Sequence, residues 1–258
     1  MDIQQQKYLN ILLVGESCID EYEIGSVNRI SPEAPVPILK YDHTIRKLGM
    51  AANVKNNLEA LDCVVDFVTN DREKIIKKRF VDIKSNQQLM RLDIENYLEP
   101  LTIDRIPLAD YDAVVISDYC KGLITDEVAR HICINFKGKV FVDTKREDLS
   151  MFPYAFIKIN STEDLCARNL PRTATKIVTL GGDGAICEGV HYPAHKVNVH
   201  DVTGAGDVFL AALAYFGTKS NIYTGIEAAN TLAAKSVEHF GTYTITNQDL
   251  RDTGYFLL

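Results

Sequence analysis

The stretch DVTGAGD, residues 201–207, combines residue types that could transfer a charged group. Gly204 and Gly206 let the backbone N–H groups of residues 204–207 converge on one point, and a helix that starts there adds the positive end of its dipole. Asp207 lies in the first turn of that helix, where a carboxylate would repel a simply bound anion. The position of Asp207 is explained if the carboxylate accepts a proton from a hydroxyl that attacks a phosphoryl group, while the amides stabilise the developing charge. A glycine turn with an acidic helix start explains the stretch equally well.

The elements around this stretch are predicted from apolar spacing. KVNVHDV before it has a β-like pattern, and the apolar residues from 208 to 216 predict a helix that Gly217 can end. Other apolar runs predict buried strands, and helical spacing recurs between them. The predicted strands are residues 8–15, 63–70, 112–119, 139–146, 155–160 and 176–184, and the other predicted helices are 51–61, 125–136 and 221–240, the last closed by Gly241. This alternation indicates a parallel sheet covered on both faces.

A small second sheet is predicted from two polar segments. Residues 31–47 alternate around three prolines, which confine them to edge or peripheral strands, and residues 79–95 read as two strands around a Ser-Asn turn. We therefore expect one α/β domain over residues 1–258, with lid segments at about 21–48 and 77–97.

Polar residues at the carboxyl ends of parallel strands line the ligand crevice of such a sheet. This rule alone nominates Asp20, Asp118, Asp143, Lys145, Asn160, Thr179 and the turn at 201–207.

Composition excludes several classes of protein. The chain has 258 residues and a net charge of −7, which argues against binding to nucleic acid or to anionic membranes. Its six cysteines are scattered without a CxxC pair, so they predict reduced thiols in a cytoplasmic protein rather than a zinc site or a disulfide framework. Apolar runs all fall short of the ~18 residues of a membrane span.

DVTGAGD with the helix behind it resembles the second signature of the ribokinase-like (phosphofructokinase-B type) carbohydrate kinases. NRISPEAPVPIL, GMAANV, SNQQLMRLD, SDYCKG, VDTKR and the Asn-x-x-Glu of residues 160–163 resemble one branch, the D-glycero-β-D-manno-heptose-7-phosphate kinases, which form the kinase half of bifunctional ADP-heptose synthases. The resemblance runs from about Leu12 to about Thr246. It implies a three-layer α/β/α fold with a mostly parallel sheet and a β lid. It also implies ATP- and Mg²⁺-dependent phosphorylation of the anomeric hydroxyl of a heptose 7-phosphate, within ADP-heptose and lipopolysaccharide biosynthesis.

The resemblance also implies residue roles. Asp207 would be the base, with the amides of Gly204, Ala205 and Gly206 as the anion hole. Asn160 and Glu163 would order a hydrated Mg²⁺, although a helix N-cap with an acidic first turn explains them too. The nucleotide would contact Asn160, Thr179, Gly181, Gly182, Gly184 and Asn230, where a plain hairpin turn and an ordinary helix position are the alternatives. The sugar would contact Asp20, Gly49 and Asn53, and its phosphate two of the four cations Arg29, Arg91, Lys121 and Lys145. The lid would pair two subunits into a homodimer.

Two departures from the family pattern stand out. Met50 follows Gly49 where the family usually has a second glycine, so we expect it to narrow or reshape the sugar pocket. Between Val68 and Lys77 the chain has only TNDREKII where the family has a further helix and strand. A sheet that lacks this crossover should be shorter and expose apolar surface at that end. A different sugar or sugar-phosphate acceptor, and a non-catalytic relative that binds a sugar nucleotide or a partner chain, therefore remain alternatives.

Overall fold

Residues 8–252 and residue 254 are described by a computed structural model, in which they form a large and a small sheet. The large sheet contains β1 (Asn10–Gly15), β4 (Val64–Val68), β7 (Ala113–Asp118), β8 (Lys139–Thr144), β9 (Phe156–Asn160), β10 (Thr175–Thr179), β11 (Ala185–Cys187) and β12 (Val190–Tyr192). The small sheet contains β2 (Ser17–Ile30), β3 (Pro37–Met50), β5 (Ile75–Asp82) and β6 (Gln87–Glu95). The helices are α1 (Ala51–Ala60), α2 (Asp126–Asn135), α3 (Ser161–Cys166), α4 (Ala205–Lys219), α5 (Ile222–Ser236) and α6 (Asn247–Asp252). The predicted domain of residues 1–258 includes residues 1–7, 253 and 255–258, which lie outside the described residues.

The large sheet has the strand order β12-β11-β10-β9-β8-β7-β1-β4 and is parallel from β4 to β10. Side chains alternate between its faces, so Ile11 and Leu13 pack with α1, α4 and α5, whereas Leu12 and Val14 pack with α2 on the other face. Both faces are buried, which is why these strands are apolar throughout. The predicted three-layer fold with a mostly parallel sheet is confirmed.

The small sheet, of order β3-β2-β5-β6, forms the predicted β element. The chain passes from β1 into β2 through Glu16 alone, and from β3 directly into α1. Asn70, which lies before β5, clasps the start of β2, because its Oδ1 accepts from the Ser17 amide at 2.8 Å and its Nδ2 donates to the Ser17 carbonyl at 3.1 Å. We call these four strands the lid.

Three predictions for the elements around DVTGAGD are wrong: two helix ends and one β-like segment. Gly217 does not end α4, because it lies against α5, where a Cβ at Gly225 would come within 2.9 Å of the Gly217 nitrogen. The glycines therefore serve the close approach of two helices. The helix α5 ends at Ser236 rather than at residue 240, and the Val237 carbonyl then accepts from the amide of His200 at 2.8 Å. KVNVHDV is irregular and mostly exposed, since the sheet has already ended at β12.

The predicted buried strand at 63–70 is an edge strand. It is β4, and its Val64 is 54% exposed while Val65 and Phe67 are half-buried against the core that includes α1. Only residues 69–74 separate β4 from the lid strand β5, so the structure agrees with the expected loss of a crossover and the shorter sheet. Within the described residues, every helix is too short or too polar to span a bilayer.

Candidate active site

A cavity of about 570 Å³ opens at the carboxyl ends of β8, β9 and β10, between the start of α4 and one side of α5. It brings together residues from distant parts of the chain. Of the predicted residues, those that line it are Asp143, Lys145, Asn160, Thr179, Gly181, Gly182, Gly184, Gly204, Ala205, Gly206, Asp207 and Asn230. Glu163 and the remaining predicted sugar-side residues lie outside this lining.

The predicted anion hole lies at the N-terminus of α4. Gly204 is its N-cap residue and has the left-handed φ of 81°, a conformation that favours glycine. Two of the four amides are already used, because Ala205 donates to the Val202 carbonyl at 3.3 Å and Asp207 to the Gly204 carbonyl at 3.0 Å. Across the described chain, no acceptor takes the amides of Gly204 and Gly206. These two N–H groups and the helix dipole are therefore available to an anion.

Asp207 is buried and hydrogen-bonded on both carboxylate oxygens. The Asn53 side-chain amide donates to Oδ2 at 3.0 Å, and the Tyr119 hydroxyl donates to Oδ1 at 2.7 Å. Burial raises the pKa of Asp207 to about 6, with a smaller contribution from Asp143, while the two hydrogen bonds and Lys158 oppose the rise. A carboxylate with such a pKa is mostly ionised at neutral pH and still a useful proton acceptor, as a general base requires.

Sequence reasoning missed Tyr119, whose position depends on another buried carboxylate. Glu16, which is fully buried, accepts three backbone N–H groups of the loop after β7. Its Oε2 accepts from Tyr119 at 2.8 Å, and its Oε1 accepts from Lys121 at 3.2 Å and from Leu123 at 3.3 Å. Glu16 therefore fixes the loop that brings the Tyr119 hydroxyl to Asp207.

Lys158 was also missed, and it forms a buried ion pair at the floor of the cavity. Its Nζ lies 2.7 Å from Oδ2 of Asp143, a residue that the strand-end rule did nominate. The pair is directly under the anion hole, because a Cβ at Gly206 would lie 2.9 Å from the Lys158 Nζ. The available signal was a lysine in the middle of the apolar strand FIKIN.

Asn160 and Glu163 form a capping box at the start of α3. The Asn160 Oδ1 accepts from the Glu163 amide at 2.9 Å, and the Glu163 Oε2 accepts from the Asn160 amide at 2.7 Å, while Oε1 pairs with Lys145. The N-cap alternative is thus realised, and it leaves the metal role open, since each oxygen keeps a further lone pair. In the described residues no three His, Cys, Asp or Glu side chains cluster so as to hold a metal without other ligands.

The glycine-rich loop at 181–184 follows β10 at the cavity mouth. Gly181 and Gly184 have left-handed φ values of 58° and 96°, and a Cβ at Gly184 would approach the Ala194 nitrogen to 2.6 Å. Asn230 of α5 donates to the Tyr192 carbonyl at 2.8 Å, so it holds the neighbouring hairpin. The loop forms a short helical turn before the β11 hairpin, and its exposed backbone faces the cavity.

The predicted sugar-side residues lie where the lid meets the start of α1. Asp20 is buried and ion-paired with Arg79, and a Cβ at Gly49 would overlap the Asp20 carboxylate. Asn53 binds Asp207. Met50 does not line the cavity, because its side chain is buried in the core that contains Leu12, Val14 and Ile75. Asp20, Gly49 and Asn53 do not line this cavity either, so the expectation that Met50 narrows or reshapes the sugar pocket stays a prediction.

Of the four predicted phosphate-binding cations, the structure brings only Lys145 to the cavity lining. Lys121 pairs with Glu95 at 2.6 Å, and Arg91 is exposed and pairs with Asp93 on its own strand at 2.8 Å. Arg29 is exposed at the far end of β2, nine residues beyond Asp20 and so about 30 Å away along the strand.

Lys77 of β5, which sequence reasoning did not select, lies near the ring of Tyr119, whose hydroxyl donates to the predicted base Asp207. Its Nζ lies 5.2 Å from the centre of the Tyr119 ring, and the Nζ of Lys145 lies 5.6 Å from the same ring. Throughout the described part of the chain, no carboxylate lies within ion-pairing distance of Lys77.

Comparison with known proteins identifies the family of this chain. Residues 146–249, which include the predicted anion hole and the Asn160 turn, match the pfkB family carbohydrate kinase domain. The chain belongs to the pfkB family of carbohydrate kinases. As a pfkB family kinase it shares its fold with phosphofructokinase-2 from Escherichia coli in complex with potassium (TM-score 0.72, 15% identity, 97% of this chain and 100% of that one). The chain also shares this fold with Arabidopsis thaliana ribokinase complexed with ribose and ATP (TM-score 0.70, 14% identity, 97% of this chain and 100% of that one).

A curated relative is similar in sequence as well. The bifunctional protein HldE of Campylobacter curvus (strain 525.92) is 33% identical over 298 aligned positions, which cover 92% of this chain. The pfkB family kinase described here spans 63% of the length of that relative, a little under two thirds. Since 298 positions exceed the 258 residues of the chain, the relative contains segments that this kinase lacks. That difference is in line with the lost crossover.

Proposed function

We propose that this carbohydrate kinase transfers the γ-phosphoryl group of ATP to the anomeric hydroxyl of D-glycero-D-manno-heptose 7-phosphate. The observation that carries the proposal is the position of Asp207, which is ionisable, buried and held by two donors beside the free amides of Gly204 and Gly206. The heptose branch is supported by the branch-specific motifs of the sequence and by the similarity to HldE proteins.

The proposed reaction needs few chemical groups. The acceptor hydroxyl lies against Asp207 and gives it a proton as its oxygen bonds to the γ-phosphorus, and the bond to the β,γ-bridging oxygen breaks. The Gly204 and Gly206 amides stabilise the charge on the transferred group, so most of the acceleration comes from positioning and electrostatics.

The same cavity would hold the nucleotide and its metal ion. The glycine loop at 181–184 and Asn230 line the cavity and would contact ATP. The Arabidopsis ribokinase, which has the same fold, forms a complex with ribose and ATP. Mg²⁺ keeps several waters and is bound through few carboxylates plus substrate phosphates. Asp143, Asn160 and Glu163 offer the oxygens that suit it, and Asp143 Oδ1 is buried without a hydrogen bond. The metal would neutralise phosphate charge.

A phosphorylated acceptor is favoured by Lys77. A half-buried ammonium without a carboxylate partner, close to the ring whose hydroxyl holds the base, suits an anionic group on the substrate. We expect Lys77→Met to raise KM for the sugar phosphate at least tenfold with little change in KM for ATP. Lys84→Met, which removes a lid lysine that binds Asn28, is the matched control.

The deciding experiment is a panel of sugars and sugar phosphates with ATP consumption as the measurement. Turnover should be highest with the heptose 7-phosphate, and Asp207→Asn should remove turnover while ATP still binds by calorimetry. Higher activity on another sugar would change the acceptor and keep the chemistry. ATP binding without turnover on every compound would favour the non-catalytic alternative.

Two broader proposals concern the assembly and the location of the protein. The lid exposes Ile30, Tyr41, Met90 and Leu92, and a second copy that packs lid against lid would cover such side chains. Sedimentation of the protein and of Met90→Lys would test the homodimer.

The free cysteines, of which Cys18, Cys63, Cys133 and Cys187 are buried, suit the cytoplasm. Fractionation of expressing cells would test that location.

A further inference from the structure

Lys158 occupies a position that the fold alone does not explain. It is the third residue of β9, between Ile157 and Ile159, which are fully buried, and its own exposed fraction is 3%. The strand register places it opposite Asp143 of β8, and the two side chains form an ion pair of 2.7 Å. A buried ion pair is weak support for stability, because apolar side chains of similar volume fill such a place equally well.

The ammonium group of Lys158 points at the first turn of α4. The 2.9 Å separation between its Nζ and a Cβ built on Gly206 means that only a glycine leaves this approach open. A lysine carries three N–H donors. One of them goes to Asp143, and residues 8–252 and 254 offer the ammonium no other hydrogen-bond acceptor.

The anion hole is incomplete without this group. Two of its four amides are used inside the α4 turn, which leaves the N–H groups of Gly204 and Gly206. A phosphoryl group in transfer spreads its charge over three equatorial oxygens, so two amides leave one oxygen without a donor. Lys158 lies beside Gly206 on the cavity wall and has donors to spare.

We propose that Lys158 donates to an equatorial oxygen of the phosphoryl group as it leaves the nucleotide, and that Asp143 is a positioning residue that orients the ammonium. The inference rests on the proposed kinase function. The proton of the acceptor hydroxyl goes to Asp207, the bond to the β,γ-bridging oxygen breaks, and Lys158 keeps its proton throughout.

Turnover of three variants tests the proposal. Lys158→Met should lower kcat about 100-fold or more, the effect of losing one anion-hole donor, with KM for the acceptor within threefold. Because this variant leaves Asp143 buried with only the more distant Lys145, 3.9 Å from its Oδ1, as a charged partner, the double variant Asp143→Asn with Lys158→Met is needed to restore thermal stability. It should fold like the parent and stay slow. Lys176→Met, on the next strand and paired with Asp164 outside the cavity, is the control and should turn over like the parent.

The pH profile of kcat distinguishes the loss of the Lys158 charge from a general disruption of the site. Lys158 opposes the rise in the pKa of Asp207 and Asp143 adds to it, so Lys158→Met should move the acidic limb of kcat upward from about pH 6. The double variant removes both influences, and its limb should return toward that of the parent although kcat stays low.

Nucleotide binding gives a readout that needs no turnover. With Mg²⁺ present, Lys158→Met should bind the β,γ-imido analogue of ATP at least tenfold more weakly than the parent and bind ADP equally well, by calorimetry. A parent without turnover on any sugar refutes the proposed function and leaves this comparison to decide on Lys158.

Three outcomes would overturn the proposal. One is a stable double variant whose kcat lies within threefold of the parent. Another is equal loss of affinity for the ATP analogue and for ADP. The last is a loss confined to KM for phosphorylated acceptors, because Lys158 would then bind the phosphate of the sugar rather than that of the nucleotide.

Discussion

Replacement of the proposed base should make this protein more stable while it removes activity. Asp207 is buried, and its pKa of about 6 lies above the ordinary value of 3.8. Well below pH 3.8 the carboxyl group is protonated in both the folded and the unfolded chain. Between pH 4 and pH 6 the unfolded chain releases the proton first, and above pH 6 the folded state holds an ion that its surroundings disfavour. The carboxylate therefore lowers the free energy of unfolding at neutral pH.

The size of the effect follows from the shift. A shift from 3.8 to about 6 corresponds to about 3 kcal/mol at pH values above both. Asp207→Asn removes the charge and can keep both contacts, since its oxygen can accept from Asn53 and its amide can donate to the Tyr119 hydroxyl, which rotates. The loss of charge-assisted hydrogen bonds offsets part of this gain. We therefore expect the free energy of unfolding to rise by about 1–3 kcal/mol, or Tm by about 2–10 °C.

Thermal unfolding of parent and Asp207→Asn between pH 4 and pH 8 measures this gain. The two Tm values should lie closest together at pH 4 and diverge up to about pH 7. Asp201→Asn, in the same turn, is the matched control. Burial acts to raise the pKa of Asp201, but hydrogen bonds from Thr203 and Gly241 outweigh it and lower the pKa. Its loss should therefore destabilise the protein at neutral pH, with little change between pH 5 and pH 8.

The reasoning would be refuted by an Asp207→Asn protein that is less stable than the parent at pH 7.5. A gain that does not depend on pH would also refute it, because the effect would then come from packing rather than from ionisation. A variant that is more stable and still turns over at the parental rate would leave the electrostatics intact and remove Asp207 from the base role.

Three further predictions concern the supports of Asp207. Tyr119→Phe removes a hydrogen bond that lowers the pKa of Asp207, so the acidic limb of the kcat profile should move up by about one pH unit; an unchanged profile would contradict this. Glu16→Gln places an amide N–H donor against backbone N–H groups that need an acceptor. It should lower the free energy of unfolding, measured by heat or denaturant, by about 1–3 kcal/mol. A Tm within one degree of the parent would count against this prediction. Gly204→Ala combines a left-handed φ with a Cβ placed 2.7 Å from the side-chain amide that binds Asp207, and should lose turnover at least 100-fold. Gly189→Ala, at a φ of 79° in open space, should show the backbone strain alone and keep kcat.

The layers of the fold were predictable because each strand carries its own signal. Strands buried on both faces must be apolar throughout, and the glycine turn before α4 marks a strand-end site. Gly217 misled the prediction, because a glycine that ends a helix and one that lets two helices touch look the same in a sequence. The edge position of β4 depends on which strand lies beside it, and VVDFV does not encode that neighbour.

The site was predictable where one local motif supplies it and not where distant segments meet. DVTGAGD supplied Asp207 and its amides, and the strand-end rule supplied Asp143. Tyr119 reaches Asp207 across 88 residues of sequence through a loop that Glu16 holds from a third segment. Met50 shows the converse, since its place beside Gly49 suggested the pocket but its side chain turned into the core.

The clasp between Asn70 and Ser17 has a consequence for how the lid can move. Since two strands of the lid, β2 and β5, leave the body side by side and are tied together at that point, they cannot swing independently. The four strands should rotate as a plate about a single hinge line near Gly15 and Met50. Asp20 and Lys77, which are neighbours in the register of β2 and β5, would then move together, so the contacts proposed for the sugar and for its phosphate would form and break at the same time.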